Sequence, residues 1–195
     1  ISISPDMPQY AGRTIADIAA ERNIDGFNMA LDYIVEDRGQ TRVLVGSIAE
    51  NDVKDFVRSP DVMIGSDGNS VAPYGTTGQG KPHPRFYGTF AKVLGQYARD
   101  EELLPLHQAV WKMTGASARA LGLKNRGTLQ PGNAADITIF DPVTIAEQAT
   151  YEDPHQFASG IHQVIVNGTT VLRDGEHTGA LAGRTLRRQT DFAAA

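Results

Sequence analysis

Apolar residues recur along the first third of the chain at helical spacing. Phe27, Ala30, Leu31, Ile34 and Val35 fall at i, i+3, i+4, i+7 and i+8, which places five apolar groups on one face of a helix ending near Gly39. Upstream, Thr14 and Asp17 have the spacing of a capping box, in which a hydroxyl and a carboxylate satisfy free amides at a helix start. That predicts a short helix to about Arg22. Val43, Leu44, Val45 and Ile48 read as a buried strand. Val53, Phe56 and Val57 mark a third helix stopped before Pro60, and Val62, Met63 and Ile64 a second short strand closed by Gly65. The order helix, strand, helix, strand predicts a parallel sheet covered by helices, either open or closed into a barrel.

Residues 65–85 break this pattern with Gly, Ser, Asn, Thr and Pro, and a loop of that length usually carries function. Helical spacing resumes at Phe86, Phe90, Val93, Leu94 and Tyr97. It continues at Leu106, Val110 and Met113 in a helix that starts at Pro105, where a missing amide costs nothing. Thr114 caps a further short helix through Leu121. Past Gly122 strands and turns take over. Residues 135–140 are an apolar run, and Asn167-Gly168 separates two β-rich segments as the type I′ turn of a hairpin. Residues 187–195 lack periodicity and read as a loose tail.

Composition narrows the class. With 41% hydrophobic and 21% charged residues the chain is too apolar for disorder and should bury a core. The formal charge of −5, with no basic cluster beyond Arg184, Arg187 and Arg188, leaves no nucleic-acid footprint. No apolar run approaches membrane-spanning length. The absence of cysteine removes thiol catalysis, cysteine-ligated zinc and disulfides from this segment, though not a compartment. Cytoplasmic is the expected location. The chain opens Ile1-Ser2-Ile3-Ser4, without an initiator Met or a signal peptide, which suggests part of a longer polypeptide.

Asp67 lies in Gly65-Ser66-Asp67-Gly68, just beyond a predicted buried strand, at the carboxyl end where α/β sheets and barrels place catalytic groups. Ser-Asp-Gly is equally the composition of a plain turn. Pro82-His83-Pro84-Arg85 lies in the same loop, and an arginine held between prolines and a helix start can offer a planar fork to a carboxylate. A surface arginine is the blander reading. His83 equally caps or packs. His107, His155, His162 and His177 are scattered without metal-site spacing, and Glu50 and Asn51 read better as helix N-capping residues than as site residues.

Five segments together resemble the amidohydrolase superfamily and, within it, the N-acyl-D-amino-acid deacylases. They are Arg126 through Asp141, with its Gly-x-x-x-Pro-Gly-x-x-Ala-Asp pattern; Val164-Ile165-Val166-Asn167-Gly168; Gly65-Ser66-Asp67-Gly68; His83-Pro84-Arg85 with residues 86–90; and Trp111-Lys112-Met113-Thr114. The resemblance implies an α/β fold: the C-terminal part of a (β/α)8 TIM-type barrel over residues 1–123, then a small β-sandwich domain over residues 124–186. It implies zinc-dependent hydrolysis of the amide of a small-molecule N-acyl-D-amino acid. Asp67 matches the catalytic aspartate and is a candidate metal ligand. Arg85 matches the residue that receives the substrate carboxylate, with His83 beside it.

The family's other zinc ligands, an early His-x-His pair, a cysteine and further histidines, are not in this chain and are expected upstream. The chain is then the C-terminal part of the enzyme, inactive alone, and its partner is the missing N-terminal part of the barrel. Two other readings remain open. One is hydrolysis of a cyclic amide, as in dihydroorotase-like and hydantoinase-like relatives. The other is a non-catalytic amidohydrolase-like scaffold.

Overall fold

The capping box is present as its spacing predicts. In a computed structural model, which describes residues 1–191, the Thr14 hydroxyl accepts the Asp17 N–H and the Asp17 carboxylate accepts the Thr14 N–H at the start of α1 (Ile15–Arg22). Asp25 caps α2 (Gly26–Glu36) in the same way, its carboxylate accepting the N–H groups of Phe27 and Asn28. These helices pack Ile18, Ala19, Met29 and Tyr33 into one core, joined by Ile1, Met7, Tyr10 and Ile15.

The face of α2 in that core is not the predicted one. Met29 and Tyr33 point inward, whereas Phe27, Leu31, Ile34 and Val35 lie on the exposed side, Phe27 72% and Val35 76% exposed. Period alone cannot choose between two apolar stripes on one helix, and the core took the one bearing Tyr33. The strand predicted at residues 43–48 is also absent. Apart from a bridge between Ile3 and Arg42, this stretch has no ladder partner among the described residues, and Val43, Leu44, Val45 and Ile48 are exposed. An apolar run becomes a strand only where a neighbour meets its backbone groups. Residues 62–64 likewise form no strand, although Ile64 donates its N–H to the Lys112 carbonyl at 3.3 Å.

The chain divides into two compact units, interleaved in sequence. The first comprises Ile1–Ile48, Asp67–Gly88 and Gln148–Phe157. The second comprises Ala49–Ser66, Thr89–Glu147 and residues from Ala158 onward. Within the second, α3 (Glu50–Arg58) stops before Pro60 as predicted, and its end is held by a buried cation. Lys112 is 4% exposed and its ammonium donates to the Val57 carbonyl at 2.6 Å and to that of Ser59. Burial lowers its pKa, while the helix C-terminus supplies acceptors. Helix α4 (Arg85–Lys92) runs on as a π-helix over Val93–Asp100. Val93, Leu94, Tyr97 and Ala98 join Val57, Leu104, Ala109 and Ile145 in the second core.

Helices α5 (Leu106–Met113) and α6 (Gly115–Ala120) follow. Pro105 stands at the α5 start as expected. Thr114 does not cap α6 through its side chain, because its hydroxyl donates back to the Val110 carbonyl at 2.7 Å. The sheet that forms lies past Gly122, where strands and a hairpin are predicted, and it is antiparallel; the strands predicted for a parallel sheet at residues 43–48 and 62–64 do not form among the described residues. Strands β1 (Ile137–Phe140), β2 (Ile161–Val166), β3 (Thr169–Arg173) and β4 (Glu176–His177) pair in chain order. At the predicted hairpin Asn167 and Gly168 take φ of 47° and 81°, the two positive values a type I′ turn requires.

Residues Arg188–Asp191 form a short helix, α7, despite their lack of periodicity. The reason is local: the Asp191 carboxylate accepts from Arg184, from the Arg187 N–H and from Thr190. The rest of the expected tail, residues 192–195, lies outside the described residues. No helix among the described residues is long and apolar enough to cross a membrane.

Candidate active site

Asp67 and Arg85 meet, both within the first unit. Asp67 sits three residues past Ile64 with φ of 48°, a left-handed conformation that aspartate tolerates better than most residues. Arg85 opens α4 behind Pro84, whose fixed φ suits a helix start and whose carbonyl accepts the N–H groups of Tyr87 and Gly88. The two ends of the long loop are thereby joined. Arg85 Nη2 lies 2.7 Å from Asp67 Oδ2, and Arg85 Nε donates to the Asp67 main-chain carbonyl at 3.1 Å. The guanidinium also lies 5.9 Å from the Phe86 ring centre.

Both partners face solvent, with the Asp67 side chain 86% exposed and that of Arg85 40% exposed. An ion pair so placed adds little to stability, because water screens it and two flexible side chains must be ordered. A guanidinium presents planar donors to an anion, and a carboxylate beside it can exchange a proton.

His83 both caps and packs. Its Nδ1 accepts the Arg85 main-chain N–H at 3.0 Å, and its ring stands edge-on to Tyr151, with centres 5.0 Å apart. The predicted site residues thus fall together, His83 bracing the backbone of Arg85 and Arg85 gripping Asp67. Glu50, in the second unit, stands at the first position of α3, where it accepts the Tyr97 hydroxyl at 2.7 Å. Burial above all, then that hydrogen bond, raises the Tyr97 pKa.

A metal needs more donors than this chain brings together. Among the described residues no group of three His, Cys, Asp or Glu side chains could hold an ion. Asp67 offers a single carboxylate at the site, so these residues do not by themselves fit a zinc centre. His162 and His177 stand on β2 and β4, the latter accepting the Gly179 N–H.

Sequence reasoning gave no role to Tyr87 or Tyr151 and set His155 aside as a scattered histidine; in the structure Tyr151 contacts His83 and Tyr87 contacts His155. A signal was available. His83 and Tyr87 are four residues apart, as are Tyr151 and His155 in the reverse order.

Comparison with known proteins decides the family, because the profile of the amidohydrolase family matches residues 7–172, most of the chain. The chain belongs to the amidohydrolase family. Over 93% of its length this amidohydrolase is 42% identical to the D-aminoacylase of Alcaligenes xylosoxydans xylosoxydans, covering 35% of that protein. A solved D-aminoacylase structure superposes with a TM-score of 0.83 at 42% identity, over 96% of this chain and 37% of the other. The N-acyl-D-glutamate deacylase of Bordetella bronchiseptica, solved with zinc and a phosphonate mimic of the tetrahedral intermediate, gives a TM-score of 0.72 at 35% identity. It is matched over 90% of this amidohydrolase and 35% of its own chain. The chain therefore spans little more than a third of the length of the relatives it matches, and its mixed α/β fold is theirs over that span.

Proposed function

We propose that this chain supplies the acid–base carboxylate and the substrate-binding arginine of a zinc-dependent amidohydrolase that cleaves N-acyl-D-amino acids. The observation that carries the reading is the adjacency of Asp67 and Arg85. In an N-acyl amino acid the carboxylate and the amide nitrogen are borne by the same α-carbon. The group that grips the carboxylate and the group that protonates the nitrogen must then be neighbours, as these two are.

Arg85 takes the α-carboxylate through its planar N–H donors, and His83 steadies the backbone that carries it. Asp67 accepts a proton from the attacking water as the oxygen bonds to the acyl carbon. When the C–N bond breaks, the proton passes from Asp67 to the departing amine, giving a carboxylate and a free D-amino acid. Zinc, with Asp67 as one candidate ligand and its other ligands from segments outside this chain, supplies Lewis-acid activation when bound.

The same reading makes residues 1–123 the C-terminal part of a (β/α)8 barrel and residues 124–186 a small β-sandwich, with 187–195 as a tail. Its partners are the small substrate and the remaining, N-terminal part of the barrel, without which this chain is inactive, and its location is the cytoplasm. The relatives' names and the matched family support it. A hydantoin ring has no free carboxylate and would leave the Arg85 fork without an anion, which favours the linear substrate over that ring.

Asp67→Asn in the whole protein should reduce hydrolysis of N-acetyl-D-amino acids by about 10²–10⁴-fold, the usual contribution of a positioned acid–base group, with its circular dichroism unchanged. Turnover within tenfold of the parent would remove Asp67 from the mechanism. Equal hydrolysis of the L isomers, or faster cleavage of a hydantoin, would overturn the substrate class.

A further inference from the structure

Residues 80–87 and 151–157 are joined by two tyrosine–histidine pairs whose order is exchanged between them. His83 Nδ1 accepts the Arg85 main-chain N–H, so in the neutral ring it carries no proton, and Nε2, 2.9 Å from the Tyr151 hydroxyl, carries it. Four residues on, the Tyr87 hydroxyl lies 2.9 Å from His155 Nδ1. His155 Nε2 is 2.9 Å from the Gly80 carbonyl, which can only accept, so this ring too holds its proton on Nε2 and its Nδ1 accepts the hydrogen bond that the Tyr87 hydroxyl donates. Tyr87 stands edge-on to His155 and to Phe157, with ring centres 5.7 and 5.8 Å apart. Lys81 adds a bond from its ammonium to the Glu152 carbonyl at 2.7 Å.

One short segment therefore contacts the chain on both sides of Arg85: the Gly80 carbonyl, the Lys81 ammonium and the His83 ring before it, and the Tyr87 hydroxyl after it. Gly80 is itself closely packed, against the first residues of the chain. A Cβ there would stand 2.2 Å from Ile3 Cγ1 and 2.8 Å from the Ser2 carbonyl, and φ is +75°. Tyr151 itself is exposed, so its hydroxyl contributes little to the core, yet it fixes the direction of the imidazole that caps Arg85.

We propose that Tyr151 and His155 are positioning residues that hold Arg85 in register to receive the substrate carboxylate. The proposal rests on the deacylase reading for the identity of that carboxylate. Neither residue bonds the guanidinium in the contacts above. Each acts through the main chain flanking Arg85, and the length of the arginine side chain amplifies a small backbone shift into a large displacement of the fork.

The test is the kinetics of Tyr151→Phe in the whole protein, which keeps the ring edge and removes the hydroxyl. KM for an N-acetyl-D-amino acid should rise about tenfold with kcat within twofold, and KM for the corresponding primary amide, which lacks the anion, should not change. Equal changes for both substrates, or an unchanged KM for the acid, would overturn the assignment. Should that variant fail to fold, Tyr87→Phe removes the hydroxyl on the other flank and is read by the same criteria. Nitrogen-15 NMR of the arginine side chains gives a readout without turnover: the Arg85 Nε–H resonance should move in Tyr151→Phe, and an unmoved resonance counts against positioning. A parent protein that cleaves no N-acyl-D-amino acid would sink the deacylase reading, and the Arg85 resonance alone would then decide the positioning role.

Discussion

Two aspartates show how exposure divides residues between chemistry and stability. Asp67 is open to solvent, and its pairing with Arg85 leaves the carboxylate within reach of small molecules in water. Asp37 is fully buried at the end of α2, where its carboxylate accepts from the Thr41 hydroxyl, from the Ser4 hydroxyl at 2.8 Å and from the Asp6 N–H at 3.3 Å. The Thr41 hydrogen bond, above all, holds the Asp37 carboxyl below the ordinary carboxylate range, against burial, which pushes it up. A folded-state pKa below the unfolded value means that the unfolded chain binds the extra proton. The stabilisation is then complete above about pH 4, the unfolded value, and is lost as pH falls through the folded one. Thermal midpoints measured between pH 7 and pH 2 should fall less steeply on the acid side for Asp37→Asn than for the parent, from a lower starting value at pH 7. Parallel curves would show that Asp37 contributes nothing to acid sensitivity.

At the scale of elements, the helix that begins with Arg85 is the critical one. Its first turn carries the candidate residue Arg85, and its π-helical continuation buries Val93, Leu94, Tyr97 and Ala98. Gly95 permits that burial, since a Cβ there would stand 2.4 Å from the Ile145 carbonyl oxygen, which also accepts from Arg99 Nη1 at 2.7 Å. Alanine ordinarily gains about 1 kcal/mol over glycine in a helix, whereas overpacking a fixed backbone oxygen costs about 1–3 kcal/mol. The clash should win, and Gly95→Ala should lower stability by about 1–2 kcal/mol in a denaturant titration. An unchanged or raised midpoint would mean that residue 145 yields easily.

For the whole molecule, the apolar surface is the telling quantity. The outer stripe of α2, with Phe27, Leu31, Ile34 and Val35, and the extended run Val43, Leu44, Val45 and Ile48 in the same unit are too continuous to be scattered surface residues. On the proposed reading, in which further chain completes the barrel, such a stripe is a face that the further chain would cover. The double substitution Phe27→Glu with Val35→Lys should reduce aggregation and hydrophobic-dye binding of the 195-residue chain without lowering its thermal midpoint. In the whole protein the same pair should lower the midpoint by about 5 °C or more, since it would bury charge. No difference between the two settings would leave the stripe uncovered in both.

What the sequence determined by itself was local. The capping box of Thr14 and Asp17, the stop before Pro60, the start at Pro105 and the Asn167-Gly168 turn all depend on backbone groups within a few residues, and each is where the pattern placed it. Tertiary structure decided whatever needed a distant partner. Residues 43–48 and 62–64 stayed outside any sheet because none of the described segments pairs with them, and α2 turned its Tyr33 side inward because the first core lay there. Asp67 and Arg85 could be named as candidates from their places in one loop. Their 2.7 Å contact, and the contacts of residues 151–157 with residues 80–87, exist only because folding brings together positions up to 75 residues apart.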